Sequence, residues 1–214
     1  MGPGFHSGWV LGLALALSPS EVQATPFIPT DDAQVLEILR ATPGDLRTRE
    51  LRQLRSELSR RPGDLDLAVR LASRYYRIAL AEGDPRYIGY AQAALLPWWH
   101  QSELPLEVLV LRAGLLQFRH EFGPALADLD QAIKRDPRHA QAWALRAAIH
   151  TVLARYPEAK RDCQALKGLA SDLIALACSL AVDASTGKAG PSYDALSRAL
   201  DQDFPASSDQ KLWV

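Results

Sequence analysis

The chain has 214 residues, 48% of them apolar, and a formal net charge of −1 at pH 7. This length supports one domain with a real core, and this apolar content excludes wholesale disorder. A charge so near zero creates no global field to draw the protein onto nucleic acid or anionic lipid.

At the N-terminus a short polar start precedes Trp9–Leu17, "WVLGLALAL". That apolar run is about half the ~20 residues a spanning helix needs. Ser18-Pro19-Ser20 breaks it, and Val22-Gln23-Ala24 puts small residues before a cleavage point. This is the layout of a secretory signal, although its start has no Lys or Arg. We expect residues 1–24 to be a signal peptide and the mature chain to be periplasmic or secreted, with no stable membrane span. The competing readings are a disordered leader or a buried apolar extension, the latter on a cytosolic protein. No Cys stands at the cleavage point to carry a lipid.

Residues 25–62 read as a lead-in and a degenerate first hairpin. "TPFIPTDD" is extended, and Asp32 to Ala41 is a candidate helix. "RTRELRQLRSELSRRP" is an amphipathic helix with Leu51, Leu54 and Leu58 on one side, ended by Pro62. Arg49, Arg52 and Arg60 on it form either a patch for an acidic partner or a plain solvated face. The Glu57/Arg61 spacing favours the latter.

Residues 63–214 carry an internal repeat. In Leu106 to Pro137, Leu109, Ala113 and Leu116 share one helix face. A break at His120–Pro124 follows, and then Ala125, Leu129, Ala132 and Ile133 share a face of a second helix. From Ala140 the pattern recurs at an offset of 34 residues: Trp143, Ala147 and His150, then Tyr156, Ala159 and Cys163. Small residues at Ala113, Ala125, Ala147 and Ala159 would let paired helices approach closely. The preceding unit has Leu71, Ala72 and Tyr75, a turn at Gly83-Asp84-Pro85 about four residues late, then Tyr87, Ala91 and Ala94, stopped by Pro97. Of Trp98 and Trp99, one is expected to pack between units and the other to be partly exposed. A weaker last unit has an apolar helix from Ser171 to Asp183, a long loop "ASTGKAGPS", and a helix from Tyr193 to Asp201. The tail at Ser207–Val214 caps that helix or docks elsewhere.

These residues resemble the tetratricopeptide repeat, specifically over about Asp64 to Leu169, and look most like its exported bacterial members. Arg112 and Arg146 depart from the pattern, which often has Leu there. The resemblance implies an all-α, right-handed α-solenoid of about four helical hairpins. It also implies a concave face that binds another protein as an extended peptide or a helix. Its groove positions fall on Asp66, Val69, Ser73, Tyr76 and Arg77, then on Glu107, Val110, Gly114, Gln117 and Phe118. The next two units contribute Gln141, Ala144, Ala148, Thr151 and Val152, then Asp172, Ala175, Ser179, Val182 and Asp183. Tyr76, Arg77, Gln117, Phe118 and Gln141 are the candidate contacts. The cationic and Asn set that holds a peptide carboxylate in the co-chaperone members is absent. A covered face is the competing reading.

The catalytic inventory is sparse. Cys163 and Cys178 lie on helices that a stack would make neighbours, so they are either a disulfide or two small buried side chains. No His pair has metal-ligand spacing, and "STGKAG" lacks the phosphate-loop pattern. Asp128 and Asp130 read as solvent-facing charge. We expect a noncatalytic interaction module with no cofactor and no nucleic-acid partner. The alternative is an enzyme, or an accessory domain of one, using His150 or His120 beside a carboxylate.

Overall fold

The computed structural model describes residues 29–31, 34 and 46–201. The signal-like segment, the candidate helix at 32–41 and the tail at 207–214 lie outside the described residues. Of the N-terminal unit Met1–Pro43 it describes one turn, where the Thr30 N–H donates to Gln34 Oε1 at 3.1 Å.

Every described helix falls in the second unit, Gly44–Val214. In chain order they are α1 (Leu46–Arg60), α2 (Leu65–Glu82), α3 (Arg86–Ala94), the single turn α4 (Leu96–Trp99), α5 (Leu106–Phe118) and α6 (Phe122–Arg135). Then come α7 (Ala140–Val152), α8 (Tyr156–Ala165), α9 (Asp172–Asp183) and α10 (Ala189–Asp201). The described residues are all-α; an isolated bridge between Lys167 and Ala170 is the one departure among them.

Local chemistry sets the helix ends. The Asp64 side chain accepts the Leu67 N–H at 3.1 Å, and Ser171 Oγ accepts that of Ile174 at 3.4 Å, each satisfying an orphan donor at a helix start. At the other end, α5 and α7 close in the same way. His120 N–H donates to Gln117 O and Glu121 N–H to Leu116 O. One repeat later, Ala154 N–H donates to Thr151 O and Arg155 N–H to His150 O. Both are Schellman closures, with His120 (φ 61°) and Ala154 (φ 56°) in the left-handed position that glycine usually fills.

Three-residue turns fold α3, α6 and α8 back on their predecessors. α2 packs with α3, α5 with α6, α7 with α8, and α9 with α10. The leading helices also touch one another in sequence, α2 with α5, α5 with α7 and α7 with α9, so they form one layer. α3, α6 and α8 bridge to the next hairpin by packing on α5, α7 and α9. Ala113, Ala125, Ala147 and Ala159 are all at most 1% exposed, where the helices meet. The main core runs without interruption from Leu51 and Leu54 on α1 to Ile149 on α7, so α1 shares the core of the helices that follow it. A separate small cluster of Ala147, Ala159, Cys163 and Val182 holds the last hairpin.

Three local expectations are corrected. Pro97 does not stop a continuous helix: α3 has already ended, and Pro97 sits at the start of α4, where its missing N–H is harmless. Trp98 and Trp99 are both buried, because successive helical residues point only about 100° apart and the core packs against both. The long loop before α10 shrinks to a π-type turn at Ala184–Lys188. The reversal is concentrated at Thr186 and Gly187, and Gly187 at φ 95° makes so tight a turn accessible.

Candidate functional site

The leading-helix layer exposes a cavity of about 340 Å³. α2 contributes Val69, Ser73, Tyr76 and Arg77, α5 contributes Glu107, Val110 and Leu111, and His139 and Gln141 lie at the start of α7. Residues more than sixty positions apart are thus brought to one opening. The spacing i, i+4, i+7, i+8 on α2 puts its four on one stripe.

The charges of this cavity are disposed in an unusual way. Arg77 and Glu107 line the same space and are exposed, yet neither forms an ion pair among the described residues. The His139 ring is held by its cap, with Nδ1 accepting the Ala142 N–H at 3.4 Å. In the neutral ring that leaves the proton on Nε2, so His139 is a donor there. Gln141 is exposed beside it.

Tyr76 is present but committed. It is 8% exposed, and its ring lies so close to Gly114 that a Cβ there would stand 2.9 Å from Tyr76 Cζ. The missing side chain of Gly114 is the slot that seats the ring, so Gly114 is covered and offers nothing to a ligand. Burial pushes the Tyr76 hydroxyl pKa up. Gln117 and Phe118 do not line the cavity. Phe118 packs against the main core, and Gln117 Oε1 is buried without a hydrogen-bond partner. Of the five candidate contacts, the structure therefore gathers Tyr76, Arg77 and Gln141 and turns the other two inward. Their sequence spacing was compatible, but they follow Gly114 toward the end of α5, past the point that Tyr76 covers.

A second, more apolar cavity of about 320 Å³ lies between α7 and α9. It is lined by Ala144, Ala147, Ala148 and Thr151 on α7, by Ile174, Ala177, Cys178 and Ala181 on α9, and by Leu166. Gln141 in the first cavity and Ala144, Ala148 and Thr151 in the second fall on one stripe of α7. The expected α9 register does not match this. Ala175 and Val182 are buried, and the cavity-lining positions are Ile174, Ala177, Cys178 and Ala181. Cys178 on this face is also bonded to Cys163, with Cα atoms 5.5 Å apart, so the disulfide ties the α9 wall of the cavity to α8.

Beneath the layer run two buried ion pairs. Arg112 grips Asp128 through Nε–Oδ2 at 2.7 Å and Nη2–Oδ1 at 2.6 Å. Arg146 grips Asp162 through the same atoms at 2.9 and 2.7 Å. The second pair is the first moved by one 34-residue offset. Each guanidinium also lies over an indole, Arg112 over Trp99 at 5.9 Å and Arg146 over Trp143 at 4.7 Å. Arg146 further donates to Asp130 at 2.6 Å. The solvent-facing reading of Asp128 is thereby corrected: it is 6% exposed, held inside by the Arg112 fork. The Arg residues that departed from the repeat pattern are the partners that make this burial tolerable.

The histidine alternative finds little geometry. His150 Nε2 is 3.8 Å from Asp162 Oδ2, beyond a hydrogen bond, and both Asp162 oxygens are already held by Arg146. Its Nδ1 is buried without a partner. Burial lowers the His150 pKa, opposed by Asp162 and aided by Arg146 and Arg155. His120 is exposed and stacks edge-on to Phe122 at 5.5 Å. Among the described residues no cluster of three or more His, Cys, Asp or Glu side chains could hold a metal ion, and no helix is long and apolar enough to cross a membrane. No family model matches the chain, and no curated protein or solved structure is detectably similar to it.

Proposed function

We propose that this protein is an exported, noncatalytic interaction module built as a right-handed solenoid of about four tetratricopeptide-like hairpins, which docks a segment of another envelope protein on its leading-helix layer. One observation carries this reading. Val69, Ser73 and Arg77 of α2, Glu107 and Val110 of α5 and Gln141 of α7 converge on one cavity. Stacked repeats characteristically present their successive leading helices as one continuous binding surface. Two further features support the repeat itself. The Arg–Asp pairs and the left-handed closures at His120 and Ala154 each recur at the 34-residue offset. The disulfide suits an oxidising compartment, which supports export together with the signal-like N-terminus.

The ligand is a polypeptide segment with an apolar stretch for the α7–α9 cavity and polar groups for Arg77, Glu107 and Gln141. A photo-crosslinking amino acid placed at Gln141, and separately at exposed Arg161 on α8, tests this in native cells. The reading predicts a discrete protein adduct from position 141 and none from 161. It also predicts that Arg77→Glu abolishes the adduct. Equal labelling from both positions, or an adduct indifferent to Arg77→Glu, refutes the groove.

A further inference from the structure

We infer that the Cys163–Cys178 bond is a redox latch. It opens by attack on the Cys178 sulfur, and its state decides whether the α7–α9 cavity is assembled. The latch regulates part of the groove proposed above and takes its purpose from that reading, but it is read out by thiol chemistry and amide exchange alone.

Three observations converge. First, the two sulfurs are unequally sheltered. Cys163 is 1% exposed within the small cluster of Ala147, Ala159 and Val182, whereas Cys178 is half-buried and lines the cavity wall. Second, the cluster around Cys163 is small, made of Ala147, Ala159 and Val182, with Leu166 and Leu173 buried outside it. The main core, rich in Leu, Ile and Trp, ends at Ile149 on α7. Beside the buried Leu166 and Leu173, the disulfide and the Lys160–Asp183 ion pair at 2.6 Å are the covalent and ionic ties between α8 and α9. Third, the cavity needs both α7 and α9, so any loosening of α9 removes one wall.

The chemistry follows from the asymmetry. A thiolate from a small thiol or dithiol reaches the cavity and attacks Cys178 Sγ in line with the S–S bond. That bond breaks, its electron pair goes to Cys163 Sγ, and the resulting thiolate takes a proton from water. The mixed disulfide on Cys178 is resolved by a second thiol of the reductant, which leaves as a disulfide while Cys178 is released as a thiol. Two electrons and two protons have passed from the dithiol to the latch.

Glutathione is the probe for the first step. Native oxidised protein is exposed to it briefly, quenched in acid and mapped. The adduct is expected on Cys178; an adduct mainly on Cys163 overturns the proposal. In single-thiol variants, Cys163→Ala should leave a thiol at 178 that iodoacetamide alkylates at least tenfold faster than the thiol at 163 in Cys178→Ala. Equal rates overturn it. Hydrogen exchange then reads the consequence in the full chain. On reduction, amides of residues 172–201 should exchange at least tenfold faster while those of 106–135 stay unchanged and certify that the rest is folded. Unchanged protection at 172–201 overturns the proposal, as do two free thiols in protein isolated without reductant.

Discussion

Asp128 and Asp162 occupy equivalent places one repeat apart, yet their removal should not have equal consequences. Asp128→Leu strips the Arg112 guanidinium of two charge-assisted bonds, and the arginine side chain is only 20% exposed. What is left for it is the Trp99 carbonyl and the indole face. Removing one partner of a buried pair costs about 3–5 kcal/mol, and the remaining exposure of Arg112 puts the figure at the lower end, about 3 kcal/mol. For a domain of this size that lowers Tm by roughly 6–12 °C. Asp162→Leu strips the same two bonds from Arg146, but Asp130 still accepts from Nη1 at 2.6 Å. The guanidinium keeps an anionic partner, so the cost should fall to about 2 kcal/mol. The double variant Arg112→Met/Asp128→Leu leaves no stranded charge and should recover most of the loss, because an apolar pair of similar volume often matches a buried ion pair. Urea unfolding followed by tryptophan fluorescence, with the m-value held constant, measures all three. If Asp162→Leu is as costly as Asp128→Leu, or if the double variant is no better than the single, the reasoning fails.

Further outcomes follow from other local features. Ala154→Gly should stabilise by about 1 kcal/mol, since a left-handed residue with a Cβ costs about 1–2 kcal/mol and glycine's extra unfolded freedom returns part of it; thermal melting checks the sign, and Ala154→Val must go the other way. Gly114→Ala should destabilise by about 1–3 kcal/mol by pressing on the Tyr76 ring, and Gly114→Ala/Tyr76→Leu should relieve it, as a double-mutant cycle would read. His150 has its folded pKa lowered from 6.5, mainly by burial. The unfolded chain therefore binds the proton first, and this contribution to stability is full above pH 6.5 and lost as pH falls through that value toward the folded pKa. His150→Gln should flatten the slope of stability against pH in that window, and an unchanged slope would show that other groups set it.

Much of the architecture was legible in the residues because packing imposes a period on them. The bulky–small–bulky faces of α5 and α7, the 34-residue offset and the four alanines all follow from helices that must lie close together, and the structure buries those alanines. The side-chain caps at Asp64 and Ser171 were not read from the residues, although an orphan N–H at a helix start seeks such a nearby oxygen. The site was less legible. Arg77 and Gln141 reach the cavity as their register indicated, but Gln117 and Phe118 do not: Phe118 packs against the main core and the Gln117 Oε1 is buried.

What the chain dictates locally is which segments are helical, which faces are apolar and where the unit recurs, because propensity, capping and periodicity act over a few residues. What only the assembled layers decide is the fate of charge and register. Asp128 sits inside because Arg112 arrives from another helix to neutralise it, and Cys178 of α9 is bonded to Cys163, which α8 brings within reach. Both depend on groups 15 or 16 residues apart meeting across a helix boundary, which no short window of residues encodes.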